Sequence, residues 1–132
     1  MVTNTPAGST ALSICYDLRF PNFYTALSAK GAELLLIPAA FTDYTGKAHW
    51  ELLLRARAIE NQCYVAAAAQ SGTHNKGRKT YGHAMIVDPW GTIIAQCSTG
   101  LQIAIADIDL DYVKTLRAQM PIQQHRRPDI YS

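Results

Sequence analysis

Three short, mostly apolar runs constrain this chain more than anything else in it: residues 10–15 (TALSIC), 32–38 (AELLLIP) and 63–69 (CYVAAAA). Each is short for a helix and lacks the polar alternation of a half-exposed strand, so each reads as a strand buried on both faces. Strands of that kind lie in parallel sheets and are joined by right-handed helical crossovers. The intervening segments fit that role. In residues 22–30 (NFYTALSAK), Phe23, Ala26 and Leu27 recur at helical spacing, and Gly31 is placed to end the helix. The longest helix is expected from about Ala48 to Gln62, with Trp50, Leu53, Leu54 and Ala58 as its inward stripe and Glu51 and Arg55 paired at i,i+4. The third run is rich in alanine, so something packs closely over it.

The rest of the chain changes character. Residues 42–46 and 70–82 read as polar loops from their Gly, Asn, Thr and Lys content. Residues 83–88 and 92–97 are alternating runs separated by Pro89, Trp90 and Gly91, which predicts a hairpin. Residues 102–110 (QIAIADIDL) alternate cleanly and predict one more strand. Asp109 or Asp111 is placed to cap a last helix carrying Val113, Leu116 and Met120, and Pro121 ends it. Strands joined by helices and followed by a hairpin make an α/β fold with parallel and antiparallel pairing, in one domain over residues 1–132.

Composition excludes several function classes. Twelve basic and ten acidic residues leave a formal charge of +2, with no basic stripe, so neither nucleic acid nor an anionic membrane is an expected partner. The basic cluster at residues 125–129 (HRRPD) is too small for a polybasic patch. No apolar run approaches the roughly 20 residues of a membrane span, and the first ten residues lack the pattern of a secretory signal. Cys15, Cys63 and Cys97 are odd in number and widely spaced, which argues against a disulfide framework and against a metal site. A reducing, intracellular compartment is the expectation.

Cys15 ends the first buried run and is followed by Tyr16, Asp17, Leu18, Arg19, Phe20 and Pro21. In a sheet of this kind, ligands bind at the carboxyl edge of the strands. The loops after residues 38 and 69 emerge at that same edge. A thiol there is placed to form a covalent acyl intermediate with an amide, ester or nitrile carbon, given activation and an oxyanion site. If the strand ends in a tight turn, the Tyr16 amide points at a developing oxyanion. Equally, Cys15 fits as a small buried residue, the usual fate of a free cysteine. Cys63 and Cys97 lie within strands and read as structural. His49, His74, His83 and His125 are the candidates for a cysteine–histidine pair, as in a peptidase, and each also fits as a structural or surface residue. Asp17 and Arg19 can brace the turn as an ion pair, or Arg19 can hold a substrate carboxylate by a bidentate contact. Glu60 and Asn61 read as structural contacts to the neighbouring turn.

The blocks ICYDLRFP, GAELLLIPAAF, HWELLLRARAIENQCYVAAAAQSG, YGHAMIVDPWGTIIAQ and HRRPDIY, in that order, resemble the nitrilase superfamily of carbon-nitrogen hydrolases. Within it they resemble the Nit branch, whose members act as amidases on deaminated glutathione and are fused to a Fhit-type domain in some animals. The resemblance implies a two-sheet α-β-β-α sandwich, stacking of two chains into a homo-oligomer, and no cofactor or metal. It implies Cys15 as nucleophile, the Tyr16 amide as oxyanion donor, Arg19 as the contact to a substrate carboxylate and Phe41 as part of the substrate pocket. The compartments implied are the cytoplasm and mitochondria. The family's general-base glutamate, its catalytic lysine and a second glutamate precede the cysteine. Here only fourteen residues do, with no glutamate or lysine among them. The chain therefore reads as the C-terminal part of such a domain, its N-terminal portion missing, with little activity expected alone. A non-catalytic, dimerising interaction protein is the alternative.

Overall fold

A computed structural model describes residues 1–131. The strands are β1 (Val2–Thr5), β2 (Gly8–Leu12), β3 (Leu34–Leu36), β4 (Tyr64–Ala67), β5 (Ser71–Thr73), β6 (Lys79–Tyr81), β7 (Met85–Val87) and β8 (Ile93–Gln96). The helices are α1 (Pro21–Ala29), α2 (Asp43–Thr45), α3 (Glu51–Asn61), α4 (Leu110–Gln119) and α5 (Ile122–His125), with a 3-10 turn at Cys15–Arg19. Six strands form one sheet in the order β1-β2-β3-β4-β7-β8. The three buried runs supply β2, β3 and β4, which pair in parallel with Leu35 opposite both Ala11 and Val65. The α1 helix connects β2 to β3, and α3 connects β3 to β4. The expected hairpin extends the sheet antiparallel, with Met85 opposite Gln96.

Alternate residues of the parallel strands face two different environments. Ala11, Leu35, Val65 and Val87 join Trp50, Leu54, Ala58, Tyr24 and Leu27 of the helices in the main core. On the opposite face, Leu34 and Tyr64 pack under Val113 of α4. The stripe expected on the long helix is therefore observed, with Trp50, Leu54 and Ala58 fully buried and Leu53 partly so. Asp109, not Asp111, caps α4: its carboxylate accepts from the Asp111 and Tyr112 amides at 3.0 and 3.1 Å. Gly31 follows α1 in the left-handed region, with φ +91°.

Several expectations are corrected. The segment expected as a polar loop at residues 42–46 already winds into helix. Thr42 caps α2, which runs through a π-helical turn (Gly46–Trp50) into α3. The predicted loop at residues 70–82 contains the β5–β6 hairpin, and residues 2–5 add an edge strand that short polar side chains concealed. Residues 102–110 do not form a strand. An alternating pattern becomes a strand only beside a partner edge, and this segment meets none among the described residues. Ile103 and Ile105 stay more than four-fifths exposed. Beside them lies a groove of about 550 Å³ over the uncovered part of the sheet, lined by Leu12, Leu36, Ala66, Ile86 and Ile103. The close packing expected over the alanine-rich strand is thus present along the α1–α3 face, and on the other face only at its start, where α4 covers Tyr64.

A Cβ on Gly46 would collide with the Tyr81 Cβ, so the π-helical turn reaches the β5–β6 hairpin only through glycine. Gly46→Ala is expected to cost roughly 1–3 kcal/mol by overpacking, read as a lowered urea midpoint. The Cys63 thiol donates to the Ala32 and Asn61 carbonyls at 3.1 and 3.2 Å, and burial pushes its pKa up to about 11 against the partial offset of Arg117. Above pH 9 the unfolded chain ionises this thiol while the folded chain keeps its proton, so folding stability falls as the pH rises towards 11. The loss expected by pH 10.5 is about 2 kcal/mol, and Cys63→Ala should flatten that slope in urea titrations at pH 8 and 10.5.

Candidate active site

The β2 strand stops at Leu12, short of the expected end at residue 15, and Cys15 opens the 3-10 turn three residues later, with φ +45° in the left-handed region. That conformation costs a non-glycine residue about 1–3 kcal/mol and persists only where the surroundings enforce it. Here they do. The Cys15 amide donates to the Pro38 carbonyl at 2.9 Å, and the Ile14 amide to the Asp17 carboxylate at 2.9 Å. One residue earlier, the Ser13 and Tyr24 hydroxyls share a buried hydrogen bond of 2.7 Å. Burial raises the Tyr24 pKa, keeping the phenol protonated for that bond. On the far side of the turn, Arg57 of α3 donates twice to the Leu18 carbonyl, at 2.8 and 3.1 Å. The guanidinium also stacks over Tyr24 and pairs with Glu60 at 3.0 Å.

The turn leaves the Tyr16 N–H without an intrahelical acceptor, because the first donors of a helix have none. The tight turn that the Tyr16 expectation requires is present. Three loops converge at this edge of the sheet. A cavity of about 550 Å³ is walled by residues 14–15, 38–40 and 68–70, with Cys15 at its side. Ala39 and Ala69 bridge in parallel, and the Gln70 amide donates to the Ala39 carbonyl at 2.9 Å, so the loops are tied to each other.

A second, smaller pocket of about 250 Å³ brings together Cys15, Tyr16, Arg19 and Phe41, the four residues singled out from sequence. The Arg19 guanidinium lies 5.6 Å from the Tyr16 ring centre and 5.3 Å from that of Phe41, with His49 Nδ1 at 3.4 Å. Phe41 is buried against Trp50, ring centres 4.8 Å apart. The Asp17–Arg19 ion pair is not formed: Asp17 turns back to cap the turn, which frees Arg19 for the pocket. The cysteine–histidine alternative finds no geometry either. His49 contacts Arg19, His74 bonds to Thr80, and His83 stacks on Tyr81, none of them bonded to Cys15. Glu60 and Asn61 are structural, but their side chains contact their own helix and not the neighbouring turn: Glu60 pairs with Arg57 and the Asn61 amide donates to the Arg57 carbonyl.

Sequence reading missed Arg57 as a brace, although the signal was available. Seven residues after Trp50 and three after Leu54, it falls on the inward stripe, where a charge needs a partner. It also missed Arg78, which lines the smaller pocket from a segment read as loop. Replacing Arg57 with Met keeps the volume and leaves the Leu18 carbonyl unsatisfied, which is expected to cost roughly 1–3 kcal/mol in denaturant unfolding. Glu60→Gln should cost less than about 1 kcal/mol, since the Glu60 side chain is half exposed.

The carbon-nitrogen hydrolase family model matches residues 1–118. The chain is 59% identical over 128 residues to a deaminated glutathione amidase of Bos taurus, covering 97% of this chain and 39% of that protein. Its structure matches the crystal structure of the Caenorhabditis elegans NitFhit protein with a TM-score of 0.94 at 58% identity, covering 98% of this chain and 31% of that one. It matches Saccharomyces cerevisiae Nit3, described as a member of branch 10 of the nitrilase superfamily, with a TM-score of 0.87 at 35% identity, covering 96% of this chain and 47% of that one. The chain thus spans less than half the length of each of these relatives. Their likeness runs through the Cys15 turn, the parallel strands and the hairpin alike, and on that match the chain belongs to the carbon-nitrogen hydrolase family.

Proposed function

We propose that Cys15 is the nucleophile of an amidase acting on a small omega-amide, with deaminated glutathione as the leading substrate. The observation that carries this reading is the left-handed Cys15 turn, which sets the thiol between two pockets with the Tyr16 N–H free beside it. The Cys15 sulfur attacks the amide carbon, and the carbon–nitrogen bond breaks as the nitrogen takes up the proton given up by the thiol and leaves as the amine, which for deaminated glutathione is cysteinylglycine. Water then attacks the thioester, giving the acid and returning the thiol. The Tyr16 amide donates to the oxyanion formed in both steps, Arg19 holds a carboxylate of the substrate, and Phe41 closes the pocket wall. Similarity to proteins named deaminated glutathione amidases supports the substrate assignment.

The groups that move protons come from elsewhere in this reading. Among the described residues no lysine, aspartate or glutamate lines either pocket around Cys15. In the family pattern they precede the cysteine, so the working amidase is the chain together with an upstream segment, in the cytoplasm or mitochondria. That same observation favours a second reading, in which the chain alone is a non-catalytic, dimerising protein.

Release of cysteinylglycine from deaminated glutathione separates the two. The 132-residue chain alone is expected to stay at background. A chain extended upstream with the corresponding segment of the Caenorhabditis elegans relative is expected to turn over, and Cys15→Ala to abolish that turnover. An extended chain that is folded yet inert supports the second reading. Turnover that survives Cys15→Ala removes Cys15 from the mechanism.

A further inference from the structure

The smaller pocket beside Cys15 holds a second cation that the mechanism above does not use. Its wall includes both Arg19 and Arg78, together with Thr42 and Thr45, and among the described residues no carboxylate. Among the described residues Arg78 has no ion pair, and the acidic group nearest in sequence to the two threonines, Asp43, is taken by Lys47 at 2.7 Å. Two arginines that line one small pocket offer a ligand there two cationic groups, whose strongest partners are anions.

Arg78 is held in place by the fold. It precedes β6, whose partner strand β5 pairs with it from Ser71 opposite Tyr81 to Thr73 opposite Lys79. The turn is closed by the His74 amide donating to the Arg78 carbonyl at 2.7 Å, and by a 2.7 Å bond between His74 Nε2 and the Thr80 hydroxyl. The hairpin is then docked on the other pocket wall: Thr80 bridges to Thr42, the Tyr81 amide donates to the Phe41 carbonyl at 3.0 Å, and Tyr81 packs on Gly46. The backbone that carries Arg78 is therefore tied directly to the residues beside Arg19.

We propose that Arg78 is a specificity-determining residue: with Arg19 it selects amides that carry two carboxylates over those that carry one. This rests on the amidase reading for the reacting group, but the charge of the pocket can be tested without turnover.

The test is protection of Cys15 from iodoacetamide in the 132-residue chain, followed by mass spectrometry so that Cys15 is distinguished from the buried Cys63 and Cys97. The probes are glutarate, with two carboxylates, and butyrate, with one, at matched ionic strength. Glutarate is expected to protect at a concentration roughly tenfold lower than butyrate, the scale of one charge-assisted contact. Arg78→Ala should bring glutarate to the butyrate level, Arg78→Lys should retain part of the preference, and Lys79→Gln, which removes a charge from the same hairpin outside the pocket, should leave it unchanged. Equal protection by the two acids in the parent chain overturns the proposal. So does a glutarate preference that survives Arg78→Ala, or one that Lys79→Gln abolishes as fully. An extended chain that hydrolyses no amide while this preference holds would sink the amidase reading and leave the selection by Arg78 standing.

Discussion

The pair of hydrogen bonds from the buried Arg57 guanidinium to the Leu18 carbonyl is the constraint on which the site depends. A turn that opens on a left-handed, non-glycine residue is under local strain, and strain relaxes unless neighbouring elements oppose it. Arg57 reaches across from α3 to hold the end of the Cys15 turn, while Tyr24 from α1 holds Ser13 at its start. The two braces touch each other, the guanidinium lying over the Tyr24 ring. Both crossover helices therefore converge on the turn that carries the thiol. The charge itself is tolerated inside because Leu18 and Glu60 satisfy it, Glu60 keeping one side in water.

The two faces of the sheet are unequal, and that asymmetry shapes what the chain can do. The helix face is a closed core built on Trp50, Leu54, Tyr24 and Leu35. The other face is covered at one end by α4 and open along Leu12, Leu36, Ala66 and Ile86. Beside it run Ile103 and Ile105, with the alternation of a strand and no edge to pair with. A two-sheet sandwich closes such a face with a second sheet. The same separation appears in the site, where the chain supplies a thiol and two arginines, and among the described residues no carboxylate lines either pocket around Cys15.

Much of the fold was legible because its signals are local. Apolar runs of strand length, a helical stripe ending at a glycine, and a Pro-Trp-Gly turn each depend on a few neighbouring residues, and β2, α1, β3, α3, β4 and the β7–β8 hairpin follow from them. What was misread depends on partners far away in sequence. The β1 strand has polar, half-exposed side chains and exists because β2 lies beside it. The β5–β6 hairpin, rich in Gly and Lys, is held by Phe41 and Gly46. Residues 102–110 show the converse: a strand pattern without a neighbour stays unpaired.

The sequence by itself determined the parallel α/β core, the place of Cys15 at the carboxyl edge of its strand, and the company of Tyr16 and Arg19, because adjacency along the chain and side-chain periodicity are properties of the chain alone. Only the tertiary structure decided that Asp17 caps the turn and leaves Arg19 free, that no histidine meets the thiol, and that Arg78 stands beside Arg19. Those outcomes turn on which of several chemically equivalent partners lies within a few ångströms, and that is set by how the loops after β2, β3 and β4 close on one another.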